Sequence, residues 1–121
     1  YVYFNYGMHW LLNFVTEERD YPAAVLIRAI QPLEGLLTIE KRREGQPPDR
    51  WTDGPAKLCQ ALGVDQDLNG IDICSSNAVL FVEWGVPIPD SGVTIGPRVG
   101  LNKVAEPWKS ILWRFKLKQD A

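Results

Sequence analysis

The alternation of hydrophobic and polar positions predicts a protein rich in β-strands that begins with a hairpin. Two β-rich runs within residues 1–15 flank Asn5-Tyr6-Gly7-Met8. Asn with Gly in a short loop is typical of a tight turn, because both tolerate left-handed backbone conformations. Further strands are expected at residues 23–30, 78–83, 93–101 and 111–118. The pattern indicates an α+β fold: a single domain with a curved antiparallel or mixed β-sheet and a protruding β-hairpin.

Two segments with helical periodicity interrupt these strands. Residues 33–43 predict the first helix. Its inward-facing side chains are expected to be Leu33, Leu36, Leu37 and Ile39. Residues 56–62 predict the second helix, with Pro55 in its first turn and Gly63 as its C-cap.

Composition limits the chemistry more than the fold. The chain has 121 residues, enough for one domain, with 45% hydrophobic positions and a formal net charge of −2. One histidine and two cysteines, Cys59 and Cys74, form no C-x-x-C motif, so no disulfide framework, metal site or other cofactor is expected. Cys59 lies in the apolar pattern of the second helix and is expected in the core.

No apolar run approaches membrane-spanning length, and no signal peptide opens the chain. An intracellular protein is therefore expected, and not a secreted one. The sequence starts at Tyr1, inside a strand pattern and without a preceding methionine, which indicates a piece of a longer protein.

Positive charge is concentrated near the C-terminus. Between residues 98 and 118, a single Glu106 accompanies six cations: Arg98, Lys103, Lys109, Arg114, Lys116 and Lys118. This segment predicts either a locally basic face on a near-neutral protein or a solvated strand edge whose lysines oppose aggregation.

The hairpin tip carries a tyrosine and a methionine where small polar residues are usual. A large flat ring on a stiff two-stranded arm is suited to insertion between stacked groups, and nucleic-acid bases are the commonest stacked partners. Tyr1 and Tyr3 share one face of the first strand. They predict either a platform for a base or simple packing across the hairpin.

Polar side chains also interrupt two apolar strands. Arg28 requires a partner, a water or a phosphate if it is buried, and otherwise faces solvent. Asn13 is either a satisfied core amide or a group that contacts the edge of a bound base. Before the second helix, Asp53, Gly54 and Lys57 indicate either a phosphate site at a helix N-terminus or capping by Asp53 beside a solvated lysine.

Taken together, these segments resemble the alkyladenine (3-methyladenine) DNA glycosylase family, the human type rather than the helix-hairpin-helix type. The matching pieces keep the family's order and span nearly the whole chain: Tyr1-Val-Tyr-x-x-Tyr-Gly-Met-His9, Asn13, Val25-Leu-Ile-Arg-Ala-Ile-x-Pro32 with Leu33-Glu-Gly35, Gly54-Pro-x-Lys-Leu-Cys-Gln-Ala-Leu62, Asn69-Gly70, and Pro97-Arg-Val-Gly100 followed by Trp-Arg-Phe115. The resemblance implies a fold like the C-terminal barrel of formyltransferases.

The resemblance also implies roles for individual residues. Tyr6 would enter the minor groove and fill the gap left by a flipped nucleotide, with Met8 and His9 bordering the groove. The base pocket would be formed by Tyr3 as a stacking wall, Tyr1 as its support, and Asn13 at the floor, where its amide clashes with the amino group of normal guanine. Arg28 and the backbone of Val99 would position the attacking water, and Lys57 would contact a phosphate.

The implied reaction is hydrolysis of the N-glycosidic bond of an alkylated or deaminated purine in duplex DNA after nucleotide flipping. It needs no lysine nucleophile, so a monofunctional enzyme is expected. The resemblance further implies a monomer, located in the cytoplasm or nucleoid of a bacterium or in a nucleus. In the family, the general-base glutamate and two further pocket aromatics precede the region present here, and His9, Glu17 and Glu18 match other positions. The chain is therefore expected to be a partial glycosylase domain over residues 1–121 that is inactive alone.

Two alternatives accompany this interpretation. One is a non-catalytic relative or fragment that binds damaged or bent DNA without cutting it. The other is a structural domain like the formyltransferase barrel, in which residue 6 would not be an exposed aromatic.

Overall fold

The computed structural model describes residues 1–5 and 9–118, which divide into two units, Tyr1–Glu83 and Trp84–Ala121. The first unit begins with the expected antiparallel hairpin of strands β1 (Val2–Asn5) and β2 (His9–Val15). Its tip, residues 6–8, lies outside the described residues. A third strand, β3 (Ala24–Leu26), pairs antiparallel with the other edge of β2, giving the sheet order β1-β2-β3.

The core of the first unit follows from the alternation of side chains along the hairpin. Val2 of β1 lies opposite Leu12 of β2, and both side chains are buried on the same face of the sheet. Against them pack Leu58 and Cys59, which are 0% and 2% exposed, together with Val64. The expectation that Cys59 is a core residue is confirmed.

Helix α2 (Pro55–Leu62) supplies this packing and confirms the second predicted helix. Pro55 stands in its first turn, and Gly63 closes it with φ of 70°, a left-handed conformation that glycine adopts without strain. Helix α1 (Leu36–Arg42) contacts α2, and Arg42 Nη1 donates to the carbonyl of Ala61 at 3.1 Å.

The predicted inward face of α1 is wrong in three of its four positions. Ile39 is buried at 5% exposure, but Leu33, Leu36 and Leu37 are 82%, 47% and 77% exposed. The helix begins only after Gly35, so Leu33 lies outside it. Successive residues turn by about 100°, so Leu37 points about 200° away from Ile39 and cannot face the same neighbour.

The second unit contains a two-stranded antiparallel sheet of β4 (Val93–Gly96) and β5 (Arg114–Leu117). Short 3₁₀ turns lie at Pro48–Arg50, Gln66–Leu68 and Asp90–Gly92. The strands predicted at residues 23–30, 93–101 and 111–118 are present but shorter, since each extends only as far as its paired neighbour.

The strand predicted at residues 78–83 is wrong. This segment forms a bend followed by an irregular stretch. One backbone hydrogen bond resembles a strand pairing: Val82 N donates to the carbonyl of Ile73 at 2.8 Å. An apolar run without a neighbouring strand to pair with does not form a β-ladder.

The α+β class with antiparallel sheets, a hairpin and two helices is confirmed, whereas the expected barrel is not. In the described part of the chain, both sheets are open. A search of the same residues for a helix long and apolar enough to cross a membrane found none.

Candidate functional site

One face of the hairpin brings together the three residues expected to form a base pocket. Tyr1 and Tyr3 alternate with the buried Val2, so their side chains lie on the opposite face from the core. Their ring centroids are 6.1 Å apart with an interplanar angle of 38°, and the two residues are 53% and 46% exposed. The pair is an accessible aromatic surface and not a buried packing contact.

Asn13 lies directly across the hairpin from Tyr1. The backbone N–H of Asn13 donates to the Tyr1 carbonyl at 2.8 Å, and the Tyr1 nitrogen donates to the Asn13 carbonyl at 2.8 Å. Its side-chain Nδ2 reaches the same Tyr1 carbonyl at 3.5 Å, the long limit of a hydrogen bond. The half-buried amide therefore retains capacity to interact with a ligand on this face.

A cleft of about 450 Å³ is lined by Tyr1 and Asn13 together with Leu12, Val15, residues 68–74 and Leu80. Asn69 holds this loop against the sheet, because its Oδ1 accepts from the Val2 backbone N–H at 3.0 Å. Gly70 follows with φ of 87°, which favours glycine there. Asn69 is a site residue to which we assigned no role from the sequence; its only signal was the Asn-Gly pair within the resemblance.

Arg28 lies on the same face as Asn13. Asn13 pairs with Leu26, and the next bond of the ladder runs from Ile27 N to the carbonyl of Leu12 at 3.0 Å. Since Ile27 packs against the core, alternation directs Arg28 to the opposite face. Arg28 is half-buried and makes no hydrogen bond or ion pair with residues 1–5 or 9–118.

The chain just after Arg28 is anchored through Ile30. The hydroxyl of Thr52, which is 6% exposed, donates to the Ile30 carbonyl at 2.7 Å, and Ile30 N donates to the Thr52 carbonyl at 3.2 Å. These reciprocal bonds fix the backbone two residues beyond the guanidinium while leaving the guanidinium itself free to bind an anion or a water.

Lys57 is not brought to the face that carries Tyr3 and Asn13. Helix α2 packs on the core side of β2, and Lys57 Nζ lies 2.8 Å from Asp53 Oδ1. This hydrogen bond holds the pKa of the Asp53 carboxyl below its usual range. Capping of the helix by Asp53 is a wrong expectation, because the N-cap is Gly54 and no side chain caps it.

The remaining expected DNA contacts lie at the hairpin tip. His9 is exposed at the start of β2, opposite Asn5. Tyr6 and Met8 lie outside the described residues, so their expected roles in the minor groove stay predictions.

Val99 belongs to the second unit and is 55% exposed in the loop after β4. The residues before it are anchored: Arg114 Nε donates to the Pro97 carbonyl at 2.9 Å, and Arg98 Nη2 donates to the Trp108 carbonyl at 3.0 Å. The Arg98 guanidinium also lies 5.2 Å from the ring centroid of Trp113. These contacts define the backbone path up to Val99.

Of the two cysteines, Cys59 is buried and Cys74 is exposed. Burial raises the pKa of the Cys59 thiol, which disfavours the nucleophilic thiolate. Both cysteines are free. Within residues 1–5 and 9–118, no group of three or more potential metal ligands is close enough to hold an ion.

The sequence matches known proteins along its whole length. The family model for methylpurine-DNA glycosylase (MPG) matches residues 1–121, and the chain belongs to this family. A protein of Herpetosiphon aurantiacus is 42% identical over 93% of this chain and 53% of its own length. One from Bacillus subtilis is 45% identical over 88% of this chain and 52% of its own length. One from Clostridium perfringens is 36% identical over 99% of this chain and 62% of its own length. Each is named "Putative 3-methyladenine DNA glycosylase".

The family assignment confirms the resemblance drawn from the sequence. This chain spans about half the length of the curated relatives it matches, since the matches cover 53% and 52% of the first and second relatives above. The roles of individual residues are therefore taken up as proposals.

Proposed function

We propose that this chain forms the base-binding and water-positioning part of a DNA N-glycosylase acting on alkylated, 3-methyladenine-like, or deaminated purines. Membership of the methylpurine-DNA glycosylase family supports this reaction class. The observation that carries the proposal is the shared sheet face on which Tyr1, Tyr3 and the half-buried Asn13 converge.

The proposed pocket discriminates by charge and by shape. Tyr3 provides the stacking wall and Tyr1 supports it at a centroid distance of 6.1 Å. The electron-rich faces of these rings favour a cationic base over a neutral one, and an N-alkylated purine carries that positive charge. Asn13 at the pocket floor would exclude normal guanine by meeting its exocyclic amino group.

The proposed reaction breaks the bond between the sugar and the base and forms a bond from the sugar to a water oxygen. The flipped nucleotide leaves the duplex stack, and the cationic base departs with the electron pair of the glycosidic bond. Arg28, for which no partner is recorded among residues 1–5 and 9–118, and the backbone of Val99 would orient the water. The general-base glutamate is expected from the family segment that precedes the residues present here.

No covalent enzyme intermediate is needed, so the proposed enzyme is monofunctional and uses no cofactor. Duplex DNA containing a damaged purine is the proposed partner, and a monomer is the proposed state. Tyr6 would fill the gap in the duplex, with Met8 and His9 bordering the groove. Lys57 would contact a phosphate, which requires it to exchange Asp53 for that phosphate. The proposed location is the cytoplasm or nucleoid of a bacterium, or a nucleus.

The experiment compares the longest natural reading frame containing this chain with the 121-residue chain itself. Each is incubated with methylated duplex DNA, and released purine is quantified by chromatography. We expect release by the longer protein and none above background by the 121-residue chain. Preferential binding of methylated duplex without release by either protein would favour the non-catalytic binding alternative.

The base-binding face is tested by Tyr3→Ala in the longer protein. Loss of one stacking wall should lower single-turnover release or damaged-DNA affinity by about 5- to 150-fold, since base–aromatic stacking contributes about 1–3 kcal/mol. Tyr21→Ala is the matched control, because Tyr21 is 62% exposed in a loop of the same unit. Equal effects of the two substitutions would contradict the proposed pocket.

A further inference from the structure

Formal charge separates along the chain at the boundary between the two units. Residues 1–83 carry seven Lys or Arg against twelve Asp or Glu, a formal charge of −5. Residues 84–121 carry six against three, a formal charge of +3. The near-neutral total therefore conceals a basic second unit, and charge asymmetry of this kind is typical of proteins that contact polyanions.

Within the second unit, strand β5 presents its cations on one face. Arg114 and Lys116 are separated by one residue, and the ladder continues with a bond from Lys118 N to the Gly92 carbonyl at 2.8 Å. Side chains alternate along a strand, so Arg114, Lys116 and Lys118 lie on the same face at intervals of about 7 Å. We call these three side chains the basic face.

The strand opposite the basic face neither neutralises nor covers it. Arg114 pairs with Gly96 and Lys116 with Thr94, while Gly92 accepts the bond from Lys118. These partners are small and uncharged. No ion pair to a described residue is recorded for any of the three cations, and the two lysines are exposed. Arg114 Nε is used by the Pro97 carbonyl, which orients its guanidinium on the strand.

We propose that the basic face binds the phosphodiester backbone of duplex DNA. This contact is additional to those proposed for the hairpin tip and the base-binding face. This choice of polyanion rests on the proposed function. Three cations at intervals of about 7 Å span about 14 Å, which corresponds to about four phosphates of one DNA strand at about 3.4 Å each along the helix axis. Gly96 leaves the space that the Arg114 guanidinium fills, since Arg114 Nη2 lies 3.1 Å from where a Cβ of residue 96 would be.

An anionic lipid surface fits this face less well. Membrane-surface elements combine cations with apolar side chains that enter the acyl region. On this sheet, Phe115 and Leu117 alternate with the cations and therefore lie on the other face, where they pair with Ile95 and Val93. The apolar side chain recorded beside the cations is Ile88, whose Cγ2 lies 3.1 Å from where a Cβ of Gly92 would be, so this face offers mainly charge.

The test is the salt dependence of binding to an undamaged duplex, measured by fluorescence anisotropy on the intact chain between 50 and 200 mM salt. The double substitution Lys116→Gln with Lys118→Gln should lower the slope of log K against log salt by about 1.8, since each phosphate contact contributes about 0.9. The control is Lys103→Gln with Lys109→Gln, which makes the same charge change in the same unit at exposed positions off the strand. It should change the slope by less than about 0.5.

A second pair keeps the outcome interpretable if the glutamines disturb folding. Lys116→Arg with Lys118→Arg retains both charges and should retain the slope. Equal slopes for the glutamine pair and the control pair would overturn the proposal. It would also be overturned if the glutamine pair lost binding to phosphatidylserine vesicles while its DNA slope was unchanged.

This experiment separates the basic face from the proposed enzyme activity, because undamaged DNA needs no base excision. A fall in slope, together with no purine release by the longer protein, would support the basic face and contradict the proposed glycosylase. Purine release together with an unchanged slope would do the reverse.

Discussion

The two units of the chain are held together by different forces. Every buried hydrophobic side chain recorded among residues 1–5 and 9–118 belongs to the first unit: Val2, Leu12, Ile39, Leu58, Cys59, Ala61 and Val64. In the second unit, no large apolar side chain of the described residues is buried, and several are half-exposed or more, for example Ile95 at 53%, Trp113 at 50% and Phe115 at 66%. Hydrophobic burial thus defines one unit and leaves the other with little core of its own.

Polar anchors take the place of a core in the second unit. Arg98 stacks on Trp113 and bonds to the Trp108 carbonyl, and Arg114 bonds to the Pro97 carbonyl. The comparison teaches that the proposed base-binding face is backed by a packed interior, whereas the proposed water-positioning loop at Val99 depends on a few charged hydrogen bonds. The two parts of the proposed site should therefore respond differently to substitution.

The largest expected effect is in the core of the first unit. Leu58→Ala should lower the free energy of unfolding by about 2–5 kcal/mol, because the side chain is fully buried and its removal leaves a cavity. Leu117→Ala in the second unit is the matched control and should change it by less than about 0.5 kcal/mol, since Leu117 is 55% exposed. Denaturant unfolding followed by circular dichroism measures both, and comparable losses would contradict the contrast drawn between the units.

Much of the first unit could be predicted from sequence because its signals are local. The period of two placed Tyr1 and Tyr3 on one face and the turn chemistry predicted the hairpin, and both β1 and β2 confirm it. The inward face of α1 could not be predicted in the same way, because periodicity does not show where a helix starts or which neighbour it meets. The left-handed Gly35 sets that start.

Distant contacts account for what the sequence did not show of the site. Asn69 bonds to Val2 across 67 residues of sequence, and Arg98 reaches Trp108 across ten. Neither contact can be recognised from the hydrophobic periodicity of the sequence. Lys57 is the opposite case, because the sequence indicated a cation near the start of a helix. Only the structure shows that this cation forms an ion pair with Asp53.

An intermediate effect is expected at the anchors of the second unit. Arg98→Gln removes both the charged hydrogen bond to Trp108 and the stacking on Trp113, and should lower local stability around Val99 by about 1 kcal/mol. Hydrogen exchange measured by NMR should then be about five-fold faster at the hydrogen-bonded amides beside this anchor, those of Ile111, which donates to the Pro107 carbonyl at 3.1 Å, and Trp113, which donates to the Ile111 carbonyl at 2.9 Å.

Lys109→Gln is the control for that change, because it removes an exposed cation of the same unit that makes no recorded ion pair with a described residue. Arg98→Lys keeps the charge but not the planar fork, and should restore only part of the protection. Protection that is unaltered in Arg98→Gln would show that this arginine does not order the loop.

The smallest expected effect concerns the exposed ion pair of the first unit, where electrostatics add little to a packed core. Lys57→Gln should raise the pKa of Asp53 towards its ordinary value of 3.8, because the hydrogen bond and charge of Lys57 are the main causes lowering it. The stabilisation from the depressed pKa is fully present above the unfolded pKa and is lost as pH falls through the folded one. Any difference in stability should therefore begin to decline below about pH 4 and vanish once the pH is below the folded pKa. An NMR titration of the Asp53 carboxyl measures the shift, with Lys41→Gln as the control, and an unmoved pKa in Lys57→Gln would show that the pair does not form in solution.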